Sequence, residues 1–173
     1  MLFKQVSPVI KIVKLLLGKL VDLLMERNKK LTVAESCTGG WIAKVLTDLA
    51  GSSVWFERGF VTYSNQAKHE MLGVAEATLE NYGAVSQETV AEMAAGALKN
   101  SHADFSLSVS GIAGPGGGST DKPVGLVWFA WSDNQQIISS KQKIFSGDRD
   151  EVRKQAVIYA LTELLKLLEK PVG

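Results

Sequence analysis

The chain has 173 residues, a formal net charge of +1 at pH 7, one cysteine and two histidines. This length favours a single core that needs no staples, and one cysteine excludes an internal disulfide and a cysteine-rich zinc site. Lysines and arginines are scattered rather than clustered, so we expect no nucleic-acid partner. His69 and His102 lie far apart in sequence, and we expect no metal site.

The first segment is apolar, but Lys11, Lys14 and Lys19 interrupt it at intervals that the core of a signal peptide would not tolerate. Apolar residues recur at helical spacing from Ile10 to Leu24 and predict an amphipathic helix at about residues 8–28. Its apolar stripe is expected to face the core or another subunit. Because no run is long and uncharged enough to span a bilayer, we expect no membrane partner.

The next elements alternate between strand and helix. Residues 31–35 alternate apolar and polar side chains and predict a short strand, followed by a helix that begins near Thr38 and stops at Gly51. Residues 54–63 are rich in Val, Phe, Trp and Tyr and predict a second strand.

Polar residues suited to helix N-caps divide the middle of the chain. Ser64 and Asn65 can cap a short helix that carries Lys68, and Ser86 can begin a long helix after another helical segment around residues 76–81.

The last third of the chain predicts strands followed by a helix. Residues 105–110 predict a third strand, residues 111–118 a glycine-rich loop, and residues 124–131 and 136–145 an antiparallel hairpin before a final helix at about 148–168. This order predicts an α/β fold, a single-domain sandwich over residues 1–173 with a mixed β-sheet flanked by helices.

The segment AESCTGG, residues 34–40, places Ser36, Cys37 and Thr38 where a predicted strand turns into a helix. The first N–H groups of a helix have no partner within it, which predicts an anion site beside a nucleophile. Ser36 is the leading candidate. Cys37 is the rival, since a thiol at a helix N-terminus can have a lowered pKa, although a small buried residue is the simpler interpretation. The two side chains are expected to face opposite ways.

A base for Ser36 has to come from a residue other than histidine, because no Ser-His-Asp pattern is readable. Lysine is the obvious substitute. Tyr63 and Lys68 flank a predicted helix start and can reach the same sheet edge as Ser36. Most lysines and tyrosines are solvated surface residues, but a desolvated lysine has its ammonium form disfavoured and can accept a proton.

The glycine-rich loop can bring backbone N–H groups close to a phosphate, or it can be a mobile connection. It lacks the Gly-Lys-Ser/Thr of a phosphate-binding P-loop, and it leads to Pro123 and a strand rather than to a helix. Arg149 and Arg153 lie four residues apart at the start of the last helix. They can grip a phosphate or pair with neighbouring carboxylates.

Together, four motifs resemble the competence/damage-inducible CinA C-terminal family: AESCTGG at 34–40, Tyr63-Ser64-Asn65 followed by Lys68, SGIAGP at 110–115 and FSGDR at 145–149. The resemblance covers residues 31–168. It implies a cytoplasmic amidohydrolase that converts nicotinamide mononucleotide to nicotinate mononucleotide and ammonia in pyridine-nucleotide recycling, without cofactor or metal. It also implies a homodimer or a higher homo-oligomer.

The family's serine, lysine and tyrosine map on Ser36, Lys68 and Tyr63. Amide hydrolysis needs a nucleophile, a base, an acid for the leaving ammonia and donors for the oxyanion. We assign these roles to Ser36, to Lys68 assisted by Tyr63, to Lys68 again, and to the backbone N–H groups of residues 37–39. The expected substrate-binding residues are Cys37, Thr38, Gly39, Gly40, Ser110, Gly111, Gly114 and Arg149, the last four for the ribose phosphate.

Two other functions remain open at this point. The chain can be a module that binds a phosphorylated ligand without cleaving it, or a cysteine-dependent enzyme that uses Cys37.

Overall fold

The computed structural model describes residues 8–134 and 136–170. Its helices are α1 (Pro8–Glu26), α2 (Trp41–Thr47), α3 (Asn65–Leu72), α4 (Glu76–Tyr82), α5 (Gln87–Lys99) and α6 (Arg149–Leu168), with a one-turn 3-10 helix at Ser52–Val54. Its strands are β1 (Leu31–Glu35), β2 (Phe56–Val61), β3 (Phe105–Gly111), β4 (Leu126–Asp133) and β5 (Gln136–Ile144). The prediction of an α/β fold with a mixed sheet is confirmed.

The sheet has the strand order β2-β1-β3-β4-β5. Strand β1 lies between β2 and β3 and is parallel to both, whereas β4 and β5 continue the sheet with antiparallel pairing. Glu35 at the end of β1 pairs with Val61 on one side and Val109 on the other. The segments that follow these three strands therefore emerge at one edge of the sheet, which is where ligands bind in sheets of this kind.

Helices cover both faces of the sheet. The larger core lies between one face and helices α1, α2 and α6, and it contains the buried aromatic side chains Phe129 and Trp131. Helices α3 and α5 pack on the opposite face. There Ser106 and Ser108 of β3 donate hydrogen bonds to backbone carbonyls of α5, so the polar residues of this alternating strand are satisfied inside the fold.

Several predicted boundaries differ from the structure by a few residues, and two of these differences have a local cause. Helix α2 begins at Trp41 rather than near Thr38, because Gly39 and Gly40 have φ of +60° and +92° and left-handed residues cannot continue a right-handed helix. Strand β2 is shorter than residues 54–63, since its first predicted residue belongs to the 3-10 helix.

The sequence also predicts a single domain, no membrane-spanning helix and no metal site. That residues 1–173 form one domain stays a prediction, because 1–7, 135 and 171–173 lie outside the described residues. Within the described ranges, no helix is long and apolar enough to cross a bilayer, and no three His, Cys, Asp or Glu residues group as metal ligands.

Candidate active site

Ser36 and Lys68 contact each other at the carboxyl edge of the parallel strands. Lys68 Nζ lies 3.0 Å from Ser36 Oγ and 3.0 Å from the backbone carbonyl oxygen of Thr62. Lys68 lies on α3, whose N-cap is Ser64 as the sequence predicts; the Ser64 hydroxyl accepts a hydrogen bond from the Ala67 amide. Both Ser36 and Lys68 are buried. The cap and the short helix thus direct the amine inward, onto the hydroxyl.

The surroundings of Lys68 favour its neutral form. Burial lowers the pKa of the Lys68 amine from its usual 10.5, against a smaller opposing effect of Cys37. In the described part of the chain, no carboxylate forms an ion pair with Lys68. A neutral amine donates one N–H to the Thr62 carbonyl and keeps a lone pair for the hydroxyl proton of Ser36. The pair has the geometry of a nucleophile and its base, and the lowered pKa makes the neutral, proton-accepting amine easier to form than in water.

Glu35 organises the turn that carries Ser36. Its fully buried carboxylate accepts hydrogen bonds from the Thr38 hydroxyl at 2.5 Å and from the amides of Gly40, Ile42 and Ala43 at 3.1, 3.0 and 2.8 Å. The expectation of an open anion site at the start of α2 is therefore wrong, because a carboxylate of the chain itself occupies those N–H groups. Sequence reasoning missed Glu35, since a glutamate at a strand end is usually solvated.

The oxyanion donors predicted in this turn are reduced to two. The Gly39 amide donates to the Ser36 carbonyl at 3.0 Å and the Gly40 amide to Glu35, so the expectation that Gly39 supplies a donor is wrong. Among the described residues, the amides of Cys37 and Thr38 have no acceptor. Those two amides remain as candidate donors beside Ser36.

The Cys37 side chain is buried in the larger core. Burial raises the pKa of the Cys37 thiol to about 12, so the thiolate is not populated near neutral pH. This environment is opposite to the lowered pKa that a cysteine nucleophile requires. The structure favours the interpretation of Cys37 as a small buried residue and disfavours a cysteine-dependent enzyme.

Arg149 joins Tyr63 to the glycine-rich loop. Its Nη2 donates to Tyr63 Oη at 2.8 Å, and its Nη1 donates to the Gly114 carbonyl at 2.9 Å. Tyr63 is 61% exposed, and the described hydrogen bonds include none between Tyr63 and Lys68. The expected assistance of Lys68 by Tyr63 is not a direct contact here. Arg149 has no carboxylate partner in these same ranges, which leaves its charge free for an anion.

The rest of the predicted phosphate site is explained largely by packing. The Ser110 hydroxyl donates to the Ala84 carbonyl at 2.7 Å, so only its lone pairs remain for a ligand. A Cβ added at Gly111 or Gly114 would lie 2.7 or 2.6 Å from a valine methyl carbon, which is closer than such atoms approach. Glycine is therefore required at these two positions because other residues of the same chain lie too close for a side chain, whether or not the loop binds a ligand.

Arg153 is directed at the Ser36 turn. Its Nε donates to the Cys37 carbonyl and its Nη2 to the Thr38 carbonyl, each at 3.0 Å, and its guanidinium lies 5.2 Å from the ring centre of Trp41. The sequence left two alternatives for Arg153, a phosphate grip shared with Arg149 or an ion pair with a nearby carboxylate. The structure shows Arg153 in neither arrangement.

The model of the CinA C-terminal domain family matches residues 14–168. This chain belongs to that family. Two relatives are nicotinamide-nucleotide amidohydrolases PncC: that of Escherichia coli (strain K12) is 60% identical over 141 residues, covering 82% of this chain and 86% of the relative. That of Pseudomonas putida is 52% identical over 149 residues, covering 86% and 92%.

Solved structures of CinA proteins have the same fold. The competence/damage-inducible protein CihA of Agrobacterium tumefaciens superposes with a TM-score of 0.86 at 44% identity, covering 91% of this chain and 96% of that one. A CinA superfamily protein of Enterobacter cloacae superposes with a TM-score of 0.87 at 37% identity, covering 98% of each chain. The resemblance inferred from the four motifs is thereby confirmed.

The CinA fold brings together most of the residues that the motifs single out. Ser36 is in contact with Lys68, and Tyr63, Gly114 and Arg149 are linked to one another. Glu35 has no role in the sequence predictions, and Arg153 has there only the alternatives of a phosphate grip or an ion pair. In the structure both side chains form hydrogen bonds with the turn that carries Ser36. The sequence signal for Glu35 was its place at the end of a short predicted strand. The signal for Arg153 was its position four residues after Arg149.

Proposed function

We propose that this member of the CinA family is a nicotinamide-nucleotide amidohydrolase, which converts nicotinamide mononucleotide and water to nicotinate mononucleotide and ammonia. The observation that carries the chemistry is the 3.0 Å contact between the buried Lys68 amine and the Ser36 hydroxyl. The choice of substrate is supported by the names of relatives that are 60% and 52% identical to this chain.

In the first half of the reaction, the Lys68 amine takes the hydroxyl proton while Ser36 Oγ bonds to the carboxamide carbon. The amides of Cys37 and Thr38 bind the oxyanion that forms. The Lys68 ammonium then returns the proton to the departing nitrogen, ammonia leaves, and the nicotinate group remains as an ester on Ser36.

In the second half, a water molecule attacks that ester and gives one proton to Lys68. The tetrahedral intermediate collapses, the bond to Ser36 Oγ breaks, and Lys68 returns the proton to the serine. The products are a carboxylic acid, which loses its proton to the released ammonia, and the unchanged enzyme. No metal or cofactor takes part in this proposal.

The nucleotide is held beyond the reacting group. Arg149, which forms no ion pair with any described residue, binds the phosphate at the opening of the site together with amides of the glycine-rich loop. Tyr63, oriented by Arg149, lies at the same opening, and Ser110 offers lone pairs to a ribose hydroxyl. We further propose a cytoplasmic homodimer or higher homo-oligomer, as the resemblance implies.

The test is ammonia release from nicotinamide mononucleotide by wild type, Ser36→Ala and Ser53→Ala. Ser53 is an exposed serine of the 3-10 helix and serves as the matched control. We expect loss of turnover in Ser36→Ala with nucleotide binding retained, and wild-type turnover in the control. Retained turnover in Ser36→Ala would eliminate the serine mechanism. Saturable binding without turnover by the wild type would favour a ligand-binding module instead.

A further inference from the structure

We infer that Arg153 is a positioning residue that aims the oxyanion-binding amide of Thr38 at the substrate, a role that rests on the proposed function. Arg153 lies one helical turn after Arg149 on α6, yet it contacts the turn that carries Ser36 rather than Tyr63 and the glycine-rich loop. Its guanidinium spans two successive carbonyls, those of Cys37 and Thr38, at 3.0 Å each.

The geometry of the peptide bond links these carbonyls to the catalytic donors. A trans peptide points its carbonyl and its N–H in opposite directions, and the Cys37 carbonyl shares one peptide with the Thr38 N–H. Because Arg153 holds that carbonyl, the Thr38 N–H points away from the guanidinium. Among the described residues this N–H has no acceptor, so it is left free for the oxyanion.

The neighbouring peptide is fixed in the same manner by a backbone group. The Ser36 carbonyl accepts a hydrogen bond from the Gly39 amide at 3.0 Å, which directs the Cys37 N–H away from that contact. One candidate oxyanion donor is thus set locally by the turn. The other is set by a side chain whose hydrogen bond to the Cys37 carbonyl spans 116 residues of the sequence.

The charge of Arg153 adds to this orientation. Hydrogen bonds from a guanidinium are charge-assisted, and reorienting the Cys37–Thr38 peptide would break one of them and disturb the second. A positive charge beside the carbonyl oxygen of a peptide also polarises the peptide group, which makes its N–H a stronger hydrogen-bond donor. The contact with the Trp41 ring and the absence of a carboxylate partner within the described ranges keep the guanidinium on the turn.

The test compares Arg153→Met and Arg153→Lys with the wild type. Methionine keeps an unbranched chain against Trp41 without any donor, and lysine keeps the charge but cannot span two carbonyls. Lys154→Met is the matched control, because Lys154 is the next residue of α6, is exposed and loses the same charge. Circular dichroism and thermal unfolding identify a variant that fails to fold; if Arg153→Met does not fold, Arg153→Lys provides the comparison.

The decisive measurement is turnover of nicotinamide mononucleotide against its thioamide analogue, in which sulfur replaces the carboxamide oxygen. Sulfur is a poor hydrogen-bond acceptor, so an enzyme with aimed donors prefers the oxygen substrate. We expect Arg153→Met to lower kcat for the oxygen substrate by about tenfold to hundredfold, with KM little changed, and to reduce the preference for oxygen over sulfur several-fold. The pH dependence that reports Lys68 should not move.

The outcomes separate this role from the proposed function. If the wild type turns over the nucleotide and both Arg153 variants keep its kcat, Arg153 has no positioning role. If both substrates slow in equal proportion, Arg153 stabilises the fold without aiming a donor, and the inference is overturned while the amidase remains. Failure of the wild type on every nicotinamide nucleotide would overturn the proposed function and this role together.

Discussion

Lys68 and Glu163 are both buried, ionisable side chains with a lowered pKa, but the lowering has opposite meanings. Burial lowers the pKa of the Lys68 amine from 10.5, and in the described structure it has no carboxylate partner. Burial alone would raise the pKa of the Glu163 carboxyl above 4.5, but hydrogen bonds from Lys141 and Lys166, at 2.6 and 2.7 Å, together with their charges, lower it.

The lowered pKa therefore means that the charged form is disfavoured at Lys68 and favoured at Glu163. For an amine the lower pKa means that the fold prefers the neutral form, which is the form that accepts a proton. For a carboxyl it means that the fold prefers the ion, which serves structure. Partners, rather than burial, decide whether a buried ionisable group is suited to chemistry or to stability.

The largest expected effect comes from removing the amine. Lys68→Met should lower the rate of ammonia release by about 10²–10⁴, the usual contribution of a positioned base, while the protein stays folded because methionine is accepted in a buried site. Steady-state kinetics and thermal unfolding at pH 7 check both parts. Turnover close to that of the wild type would show that Lys68 is not the base.

The pH dependence of stability tests the charge state of the same residue. Between the lowered pKa and 10.5, the folded wild type binds fewer protons than the unfolded chain, so the free energy of unfolding rises with pH in that window. Lys68→Met should lack this contribution. Urea unfolding of both proteins across the alkaline range measures it, and identical slopes would mean that the amine is not perturbed. Wild-type kcat/KM should also rise with pH, to a plateau reached below 10.5.

A smaller effect is expected at the paired carboxylate. Glu163→Gln should lower the free energy of unfolding at pH 7 by about 1–2 kcal/mol, because two charge-assisted hydrogen bonds weaken although both lysines are partly solvated. The loss should disappear as pH falls through the lowered pKa of Glu163, where the wild-type carboxyl also becomes protonated.

Turnover by Glu163→Gln should equal that of the wild type. Glu169→Gln, an exposed glutamate at the end of α6, is the control and should leave the stability unchanged. Equal destabilisation by the two substitutions would contradict a special role for the Glu163 cluster.

The smallest effect is expected at Cys37. Since burial raises the pKa of its thiol to about 12, Cys37→Ala should keep turnover within about threefold of the wild type and should cost about 1 kcal/mol of stability through lost packing. The folded wild type should react slowly with a thiol reagent, and the unfolded chain should react at once. Loss of turnover in Cys37→Ala with retained turnover in Ser36→Ala would restore the cysteine mechanism.

The fold was predictable where the pattern is local. Strand β1 matches its predicted bounds, and Ser64 and Ser86 accept the N-cap hydrogen bonds expected of them. A cap acts within three residues of its own position, so a single sequence contains what is needed to predict it. The start of α2 was missed because two left-handed glycines and a buried carboxylate rearrange the turn.

The site was predictable only as a set of residue types. Sequence motifs singled out Ser36, Lys68 and Arg149, but nothing in them indicated that Glu35 would occupy the amides at the start of α2 or that Arg153 would hold the Cys37 carbonyl. Such partners depend on how elements pack. Hydropathy and spacing do not report packing of that kind.

The amino-acid sequence alone determined the alternation of strands and helices, the caps, the lone cysteine and the motif residues, because each depends on neighbours along the chain. The tertiary structure decided the burial of Lys68, the orientation of the Cys37 and Thr38 amides, which have no acceptor within the described ranges, and the contact of Arg153 with the turn. Those features join residues 32 and 116 positions apart, and only packing sets the distances and the desolvation that make a hydroxyl and an amine a reactive pair.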